Sequence, residues 1–526
     1  MNTPQTTHRC GCACCTAMHS YNGPFGGLNR REFLFRVGTA TAGLSLAGLD
    51  AFAADASLDL PRRGPTTARP LRVQPVLIYS TPARREGTSW RGWGGIQTEE
   101  QAQAEKARIG GELEKMSKAA GFPLEILPIQ MVSNRKAAEA VPGDFDAQIL
   151  YAAGGDNGML EAIVKPDKWN LMFLRHDTGP VYLWYEIAHP WFLRKSTDDY
   201  LSKGLDVNDL VVDEYSEVLC RLRGLHGLQN TLGKRIVAIG GAGGWGAGGQ
   251  KAPGISRNLW KLDIVDVSYK DLEPRLKKAL EDADLAKRCK AAAGRYLKSA
   301  GVSLHTRRDF VDNAFVLNEV MKDLMDEAKT DAITIHHCMG TIMGISKTTA
   351  CLPLSLMNDD GYLAFCESDF VVIPSGILLH YISGLPVFLN DPTTPHDNVV
   401  TLAHCTAPRK MNGKRAERAK IMTHFESDYG AAPKVEMKLG QVCTNLVPDF
   451  ACKKWVGFEG KIVANPFLDI CRSQIDVKIL GSNATLLEEM RGFHWMMSYG
   501  SFLKETRYAL GKLGVELNDL SSGTPA

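Results

Sequence analysis

Short apolar runs alternate with longer amphipathic stretches in the first part of the chain. Residues 55–70, rich in Pro, Arg, Ser and Thr, are followed by strand-like apolar runs at 73–79, 124–129, 147–152 and 170–174. Between the first two runs, residues 99–120 follow a helical period that Gly121 ends. Strands that alternate with helices in this way predict a parallel sheet flanked by helices.

A second unit of the same kind begins near Arg235 and gives way to a different pattern at about residue 353. The second unit has strand-like runs at 236–239 and 332–335 and amphipathic helices at 271–300 and 309–329. Later β-like runs, separated by Gly and Pro, lie at 434–443, 453–458, 461–464 and 474–479, before a helix at 498–511. These later runs predict an antiparallel sheet or small barrel. The predicted divisions are a linker at 55–70, an α/β domain at 71–230, a second at 231–352 and a C-terminal domain at 353–526.

The first strand-like run of the second unit, at 236–239, leads into a glycine-rich segment, G-G-A-G-G-W-G at 240–246. Glycines after a strand can bind a dinucleotide, but this run does not match G-x-G-x-x-G cleanly. Asp263 or Asp266 supplies the expected downstream acid only loosely. A flexible loop over a sugar site or at a domain junction is the favoured interpretation.

The N-terminal residues 1–54 are predicted to be a signal peptide. Residues 29–34 read N-R-R-E-F-L, a twin-arginine pattern, and a weakly apolar stretch and A-F-A at 51–53 follow. The alternative is a chance pair of arginines before an ordinary helix. We expect export by the twin-arginine machinery and a periplasmic or secreted location.

Charge and cysteine content restrict the class of ligand. The 61 basic and 59 acidic residues give a net charge of +2, which does not point to nucleic acid and suits a small neutral ligand. Four of the 13 cysteines precede the twin arginines. The other nine are scattered without C-x-x-C pairs, which argues against a structural zinc site and favours small buried apolar roles.

Two carboxylates stand at the ends of predicted elements in the C-terminal part. Glu367 in C-E-S-D precedes an apolar, helix-like run, and Asp391 in F-L-N-D-P closes a strand-like run. Acids at element ends tend to converge on a pocket rim, where they can share a divalent metal or divide acid and base roles. The alternatives are that Glu367 caps the following helix and that Asp391 is only a turn residue.

These motifs resemble the L-fucose isomerase and L-arabinose isomerase superfamily. The resemblance is firm from about residue 332 to 515, through A-I-T-I-H-H-C, F-C-E-S-D-F, V-F-L-N-D-P, L-A-H-C and G-F-H-W, and patchy before that. It implies two Rossmann-like α/β/α domains followed by a mixed C-terminal domain with an antiparallel β-barrel. It also implies a homo-oligomer, a trimer or hexamer.

The resemblance further implies a metal site. The family's glutamate, aspartate and late histidine correspond to Glu367, Asp391 and His494 in this sequence, and His404 resembles an additional histidine ligand of the arabinose branch at a different spacing. The mixed N/O set implies Mn²⁺, with Mg²⁺ or Co²⁺ as alternatives. The plain alternative for His494 is a packed core histidine. Asp369 is expected beside the site or on the opposite side of the turn.

Aromatic residues supply a second sugar-binding signal, because the apolar face of a sugar stacks on rings. Trp90, Arg91 and Trp93 follow the first predicted strand, and the family often places such residues over a neighbouring subunit's site. The other expected substrate contacts are Trp184, His189, Trp191 and Trp495, together with His404. The alternative is that these aromatic residues only pack within a loop that covers the site and do not contact a sugar.

The expected function is aldose–ketose isomerisation of a free sugar through an ene-diolate. Because family isomerases are cytoplasmic and this chain has an export signal, two alternatives stay open. One is an exported glycoside hydrolase or other sugar-active enzyme that uses Glu367 and Asp391 as acid and base. The other is a sugar-binding protein, for which the Glu/Asp/His set has no purpose.

Overall fold

The computed structural model describes residues 65, 67–182 and 204–521, and its first sheet is parallel. The strands are β1 (Leu71–Ile78), β2 (Leu124–Ile126), β3 (Gln130–Val132), β4 (Ala147–Ala152), β5 (Trp169–Leu174) and β6 (Leu210–Val212). They run in the order β2-β1-β4-β5-β6, with β3 also paired to β1. Every pairing is parallel, which confirms the predicted sheet.

Helices accompany this sheet in the predicted alternation. They span Glu99–Lys118, Arg135–Glu139, Asn157–Ile163 and Tyr215–Thr231, with a short 3₁₀ turn at Val207–Asp209. The first begins at a capping box, in which the Thr98 side chain accepts a hydrogen bond from the backbone of Gln101 while the Gln101 side chain bonds back to Thr98. The helix is held against the sheet by the buried Ile109 and Leu113.

A second parallel sheet follows. The next strands are β7 (Arg235–Ile239), β8 (Asp263–Val267), β9 (Val302–Leu304), β10 (Ala332–Ile335) and β11 (Leu363–Cys366). The sheet has the order β11-β10-β7-β8, whereas β9 belongs to a small separate sheet. Since β11 is its edge strand, this sheet continues past residue 352, where the sequence pattern placed a domain boundary.

The helices of this part include the one predicted at 309–329 and several that the sequence does not predict. They span Gly246–Gly249, Ala252–Asn258, Tyr269–Glu281, Ala283–Lys298, Arg308–Ala328, Met343–Ser346, Cys351–Asp359 and Ile373–Ser383, with a π-helical turn at Cys338–Ile342. The prediction of a single helix over 271–300 is wrong, because the helix is interrupted at Asp282. That residue ends one helix and caps the next by accepting hydrogen bonds from the backbone of Asp284 and Leu285.

The C-terminal part contains a closed antiparallel barrel. The strands are β12 (Phe388–Pro392), β13 (Val399–His404), β14 (Arg418–Met422), β15 (Ala432–Glu436), β16 (Val442–Val447), β17 (Lys454–Ala464), β18 (Ser473–Ile479), β19 (Trp495–Tyr499) and β20 (Glu516–Asp519). Six of them follow one another as β16-β19-β12-β13-β18-β17, and β16 pairs with β17 to close the ring. β20 adds to β17 in parallel, and β14 lies between β15 and β9 in the small sheet.

The last helices span Asn483–Glu489 and Leu503–Gly511. The predicted helix at 498–511 is therefore wrong at its start, because Ser498 and Tyr499 belong to β19, which must pair with both β12 and β16 for the barrel to close. Gly500 then turns the chain at a φ of +100°, a conformation that suits glycine.

The helix Ile373–Ser383 packs closely against both β11 and the barrel at Gly376. A Cβ at Gly376 would lie 2.5 Å from the Phe365 ring and 2.6 Å from the Met496 methyl group, so only glycine fits there. The helix is buried along nearly all of its length and joins the end of β11 to the start of β12.

Within the described ranges, no helix is both long enough and apolar enough to cross a membrane.

Candidate metal centre

Glu367 projects from a turn that directly follows β11. Glu367 and Ser368 both have left-handed backbone conformations, with φ of 64° and 47°, which non-glycine residues adopt at a cost of about 1–3 kcal/mol each. The Ser368 N–H donates to Thr334 Oγ1 at 3.1 Å and fixes the turn. Glu367 does not cap the next helix, whose first turn has no side-chain cap. The strained turn instead holds the carboxylate toward the barrel.

Three neighbouring barrel strands supply the other members of the cluster. Asp391 lies on β12 opposite Ala403 of β13, so His404, the last residue of β13, is close to it. His494 immediately precedes β19, whose first residue pairs with Asn390. Register between strands, and not nearness in sequence, therefore brings these side chains together.

The four side chains converge. His494 Nε2 lies 3.3 Å from Glu367 Oε2 and 3.3 Å from Asp391 Oδ1, and His404 Nε2 lies 3.7 Å from Glu367 Oε1. Both histidine side chains are buried, whereas the side chains of Glu367 and Asp391 are 27% and 32% exposed. The histidines thus form the inner wall and the carboxylates face the cavity.

Unpaired buried atoms indicate that this cluster fits a cation. Asp391 Oδ1, His404 Nε2 and His494 Nε2 are buried and make no hydrogen bond of good geometry, although Asp391 Oδ1 and His494 Nε2 lie 3.3 Å apart. Leaving one such group unsatisfied costs about 1–3 kcal/mol, so three together need an explanation. One ligand atom from each of the three lies within 4.8 Å of the other two. Carboxylate oxygens and imidazole nitrogens are ligands suited to a divalent ion such as Mn²⁺.

Asp369 orients His494 from behind. Its Oδ2 lies 2.8 Å from His494 Nδ1, and its Oδ1 accepts hydrogen bonds from the backbone N–H groups of Val371 and Trp245 at 3.0 and 3.3 Å. In the neutral ring that binds a metal, an Nδ1–H donated to Asp369 leaves Nε2 as the lone-pair nitrogen that faces Glu367 and Asp391. Of the two positions expected for Asp369, the structure has the one beside the site.

The electrostatics of the cluster reflect its excess of carboxylates. Burial raises the pKa of Glu367, but contacts with His404 and His494 outweigh it and hold the pKa well below its usual range. Burial raises the pKa of Asp391, and the two histidines offset this only in part. Burial opposes the charged form of His494, yet Asp369 and Glu367 raise its pKa to about 10. The carboxylates therefore stabilise a positive charge among them, which either a proton or a metal ion can supply.

The cluster opens into a cavity of about 300 Å³ with an aromatic pair at its edge. The rings of Trp245 and Phe493 stack at 4.0 Å between centroids, and both side chains are partly exposed. Trp245 belongs to the glycine-rich segment, which is tied to the Glu367 turn because Gly243 donates its N–H to the Ser368 carbonyl. Next to this cavity lies a wider cleft of about 580 Å³, lined by Trp245, His336 and Glu367 among others.

The other predicted substrate contacts lie elsewhere. Trp90, Arg91 and Trp93 do not line the cavity of this described chain; the Arg91 guanidinium lies 5.0 Å from the Trp90 ring, and Trp93 is 75% exposed. Trp495 was wrongly expected at the site, since it is 1% exposed and packs edge-on against Phe458. As the first residue of β19 it fills the protein interior. Trp184, His189 and Trp191 lie outside the described residues.

Several cavity residues escape sequence reasoning. Phe493 lies within the G-F-H-W motif and Trp245 within the glycine-rich segment, so their positions in recognised motifs are the signal that could have identified them. Cys405, His424 and Cys471 also line the cavity, but no local spacing connects them.

No protein-family model matches the chain, and neither does any curated protein.

Proposed function

We propose that this protein is a metal-dependent aldose–ketose isomerase that acts on a free sugar. The observation that carries the proposal is the convergence of Glu367, Asp391 and His494 around unpaired buried atoms, with His404 beside them. The set is the one that the sequence resemblance to the fucose and arabinose isomerases implies. Mn²⁺ is the proposed ion, with Mg²⁺ or Co²⁺ able to replace it.

The proposed reaction moves a proton between two adjacent sugar carbons. When bound, the divalent ion would polarise the carbonyl and lower the pKa of the neighbouring hydroxyl. Glu367 and Asp391 both face the cavity, so one carboxylate can take the proton from the hydroxyl-bearing carbon as the ene-diolate forms. The same group can then return that proton to the former carbonyl carbon, while the other carboxylate transfers the hydroxyl proton to the former carbonyl oxygen, so that both carboxylates end as they began. Asp369 keeps His494 oriented throughout.

The cavity walls support a sugar as the substrate. The stacked rings of Trp245 and Phe493 offer an apolar surface for a sugar face, whereas Glu367 and Asp391 accept hydrogen bonds from hydroxyl groups. A cavity of about 300 Å³ is at the lower end of the range for small-molecule sites, about 300–1,000 Å³. A monosaccharide fits that size.

The proposal extends to the arrangement of the whole protein. The two parallel sheets would be the cores of two Rossmann-like domains, and the barrel that of the C-terminal domain. The protein would assemble as a trimer or hexamer, in which Trp90, Arg91 and Trp93 cover a neighbouring subunit's cavity. Export by the twin-arginine pathway would place it in the periplasm or outside the cell.

The test is turnover by the mature chain, from about residue 55, with Mn²⁺. Free fucose, arabinose and their epimers would be assayed for ketose, and aryl and natural glycosides for released sugar. The proposal expects ketose formation that is lost in Glu367→Gln and on chelation. Released sugar without ketose would instead assign hydrolysis to these carboxylates, and tight sugar binding without any turnover would assign a binding role.

A further inference from the structure

A second group of metal-binding side chains lies in the wall of the same cavity. Cys405, His424 and Cys471 each offer one ligand atom, and the three atoms lie within 4.8 Å of one another. Cys405 and His424 are buried, and Cys471 is partly exposed. None of the three belongs to the Glu367 cluster, and the proposed isomerase chemistry does not use them.

The barrel builds this group from segments that are distant in sequence. His404 at the end of β13 pairs with Ser473 at the start of β18, so Cys405 and Cys471 extend beyond the same end of this antiparallel pair. His424 follows the end of β14, in the small sheet. Because strand pairing sets these positions, the absence of a C-x-x-C motif does not bear on whether the residues can bind a metal.

Hydrogen bonds around the group suit a metal-bound state. The Arg472 backbone N–H donates to Cys405 Sγ at 3.3 Å, an interaction that stabilises a thiolate. His424 Nδ1 lies 3.2 Å from Ser427 Oγ. An Nδ1–H donated to this hydroxyl fixes the tautomer in which Nε2 has the free lone pair, as in histidines that bind metals.

The donor set distinguishes this group from the Glu367 cluster. Two thiolates and one imidazole form a soft set that favours Zn²⁺ over Mn²⁺, whereas the carboxylate-rich cluster favours the harder ion. Zn–S and Zn–N bonds of about 2.0–2.3 Å require ligand atoms about 3.3–3.8 Å apart, so atoms now within 4.8 Å of one another would have to approach by at most about 1.5 Å. Three protein ligands leave a fourth position for water or substrate.

We propose that Cys405, His424 and Cys471 form a second, thiolate-rich metal site that binds Zn²⁺ and shares its cavity with the carboxylate-rich site. All three residues line the cavity, so a ligand in a fourth coordination position could come from it. The site rests on the geometry of these three residues and stands whether or not the protein is an isomerase.

The test uses Co²⁺ as a spectroscopic probe for Zn²⁺. The mature chain, reduced and stripped of metal, would be titrated with Co²⁺, followed by the thiolate-to-cobalt charge-transfer band, and then challenged with Zn²⁺. We expect a band that Zn²⁺ abolishes and that is lost in Cys471→Ser and in His424→Gln. Cys351→Ser is the matched control, because Cys351 packs against Cys405 but lies outside the three-atom group. It should keep the band, and so should Glu367→Gln.

Three results would overturn the proposal. One is the absence of a thiolate band in the reduced wild-type chain, a measurement that does not depend on the folding of any variant. Another is a band that survives in Cys471→Ser, or that disappears in Glu367→Gln, since either would place the ion elsewhere. The last is a Cys405–Cys471 disulfide, found by mass spectrometry in protein isolated without reductant, because it would leave no thiolates to bind a metal.

Discussion

Replacing Asp369 with asparagine should weaken metal binding by reversing the tautomer of His494. Two backbone N–H groups, from Val371 and Trp245, donate to one oxygen of Asp369, so the amide oxygen of an asparagine would stay at that position. Its NH₂ group would then face His494 Nδ1, which must become an acceptor. The ring proton moves to Nε2, the nitrogen 3.3 Å from Glu367, and blocks the metal position.

The size of this effect follows from the role of Asp369. Loss of the partner that orients a metal-binding histidine typically reduces affinity by about 10–100-fold, or about 1.4–2.7 kcal/mol. Asp369→Asn keeps the shape and the backbone hydrogen bonds but removes a carboxylate that raises the pKa of His494, so we also expect a lower thermal stability without metal at neutral pH. The Mn²⁺ affinity would be measured by calorimetry and by electron paramagnetic resonance of free Mn²⁺.

A matched control separates this mechanism from a general loss of a carboxylate. Asp213 also accepts hydrogen bonds from backbone N–H groups, of His176 and Asp177 at 3.0 and 2.9 Å, but it contacts no member of the metal cluster. Asp213→Asn should leave Mn²⁺ affinity unchanged. Equal affinities for wild type and Asp369→Asn would refute the orienting role, and equal losses in both variants would show that the effect is not local.

Three further predictions concern stability and substrate binding. His226 is buried, and burial lowers its pKa from 6.5 to about 4, so it contributes stability that is present above pH 6.5 and lost as pH falls toward 4. The full change amounts to about 3 kcal/mol, of which about 2 kcal/mol falls between pH 7 and pH 5, and urea unfolding over that interval should show a flatter pH dependence for His226→Gln. Gly376→Ala should lower the unfolding free energy by about 1–3 kcal/mol by overpacking against Phe365, and an unchanged urea midpoint would contradict that close approach. Trp245→Ala should raise KM for the sugar about tenfold with little change in Mn²⁺ affinity, because it removes one ring of the stack with Phe493; an unchanged KM would exclude sugar stacking there.

Local pattern was enough to predict most of the fold. The run at 147–152 coincides with β4 and the run at 332–335 with β10, because buried parallel strands are short continuous apolar segments bounded by turns. Prediction failed where a single residue or a distant partner decides the structure. Asp282 both ends and begins a helix, and residues 498–499 continue β19 because the barrel needs them to close.

The candidate site was predictable only where its residues lie in recognisable motifs. Glu367, Asp391 and His494 were found in this way, and the structure brings them together. Trp495 was misassigned, because a sequence motif does not tell which side of a strand faces a cavity. The group formed by Cys405, His424 and Cys471 was not predicted. Strand pairing places Cys405 near Cys471, and no local spacing in the sequence indicates that pairing.

The proposed function depends on a divalent metal bound among Glu367, Asp391 and His494. The most direct measurement is a crystal structure of the Mn²⁺-loaded chain with anomalous diffraction data at the manganese edge. We predict one anomalous peak within bonding distance of Asp391 Oδ1, His494 Nε2 and a Glu367 oxygen. This prediction would be contradicted by manganese bound only elsewhere, with the contact between Glu367 and His494 unchanged.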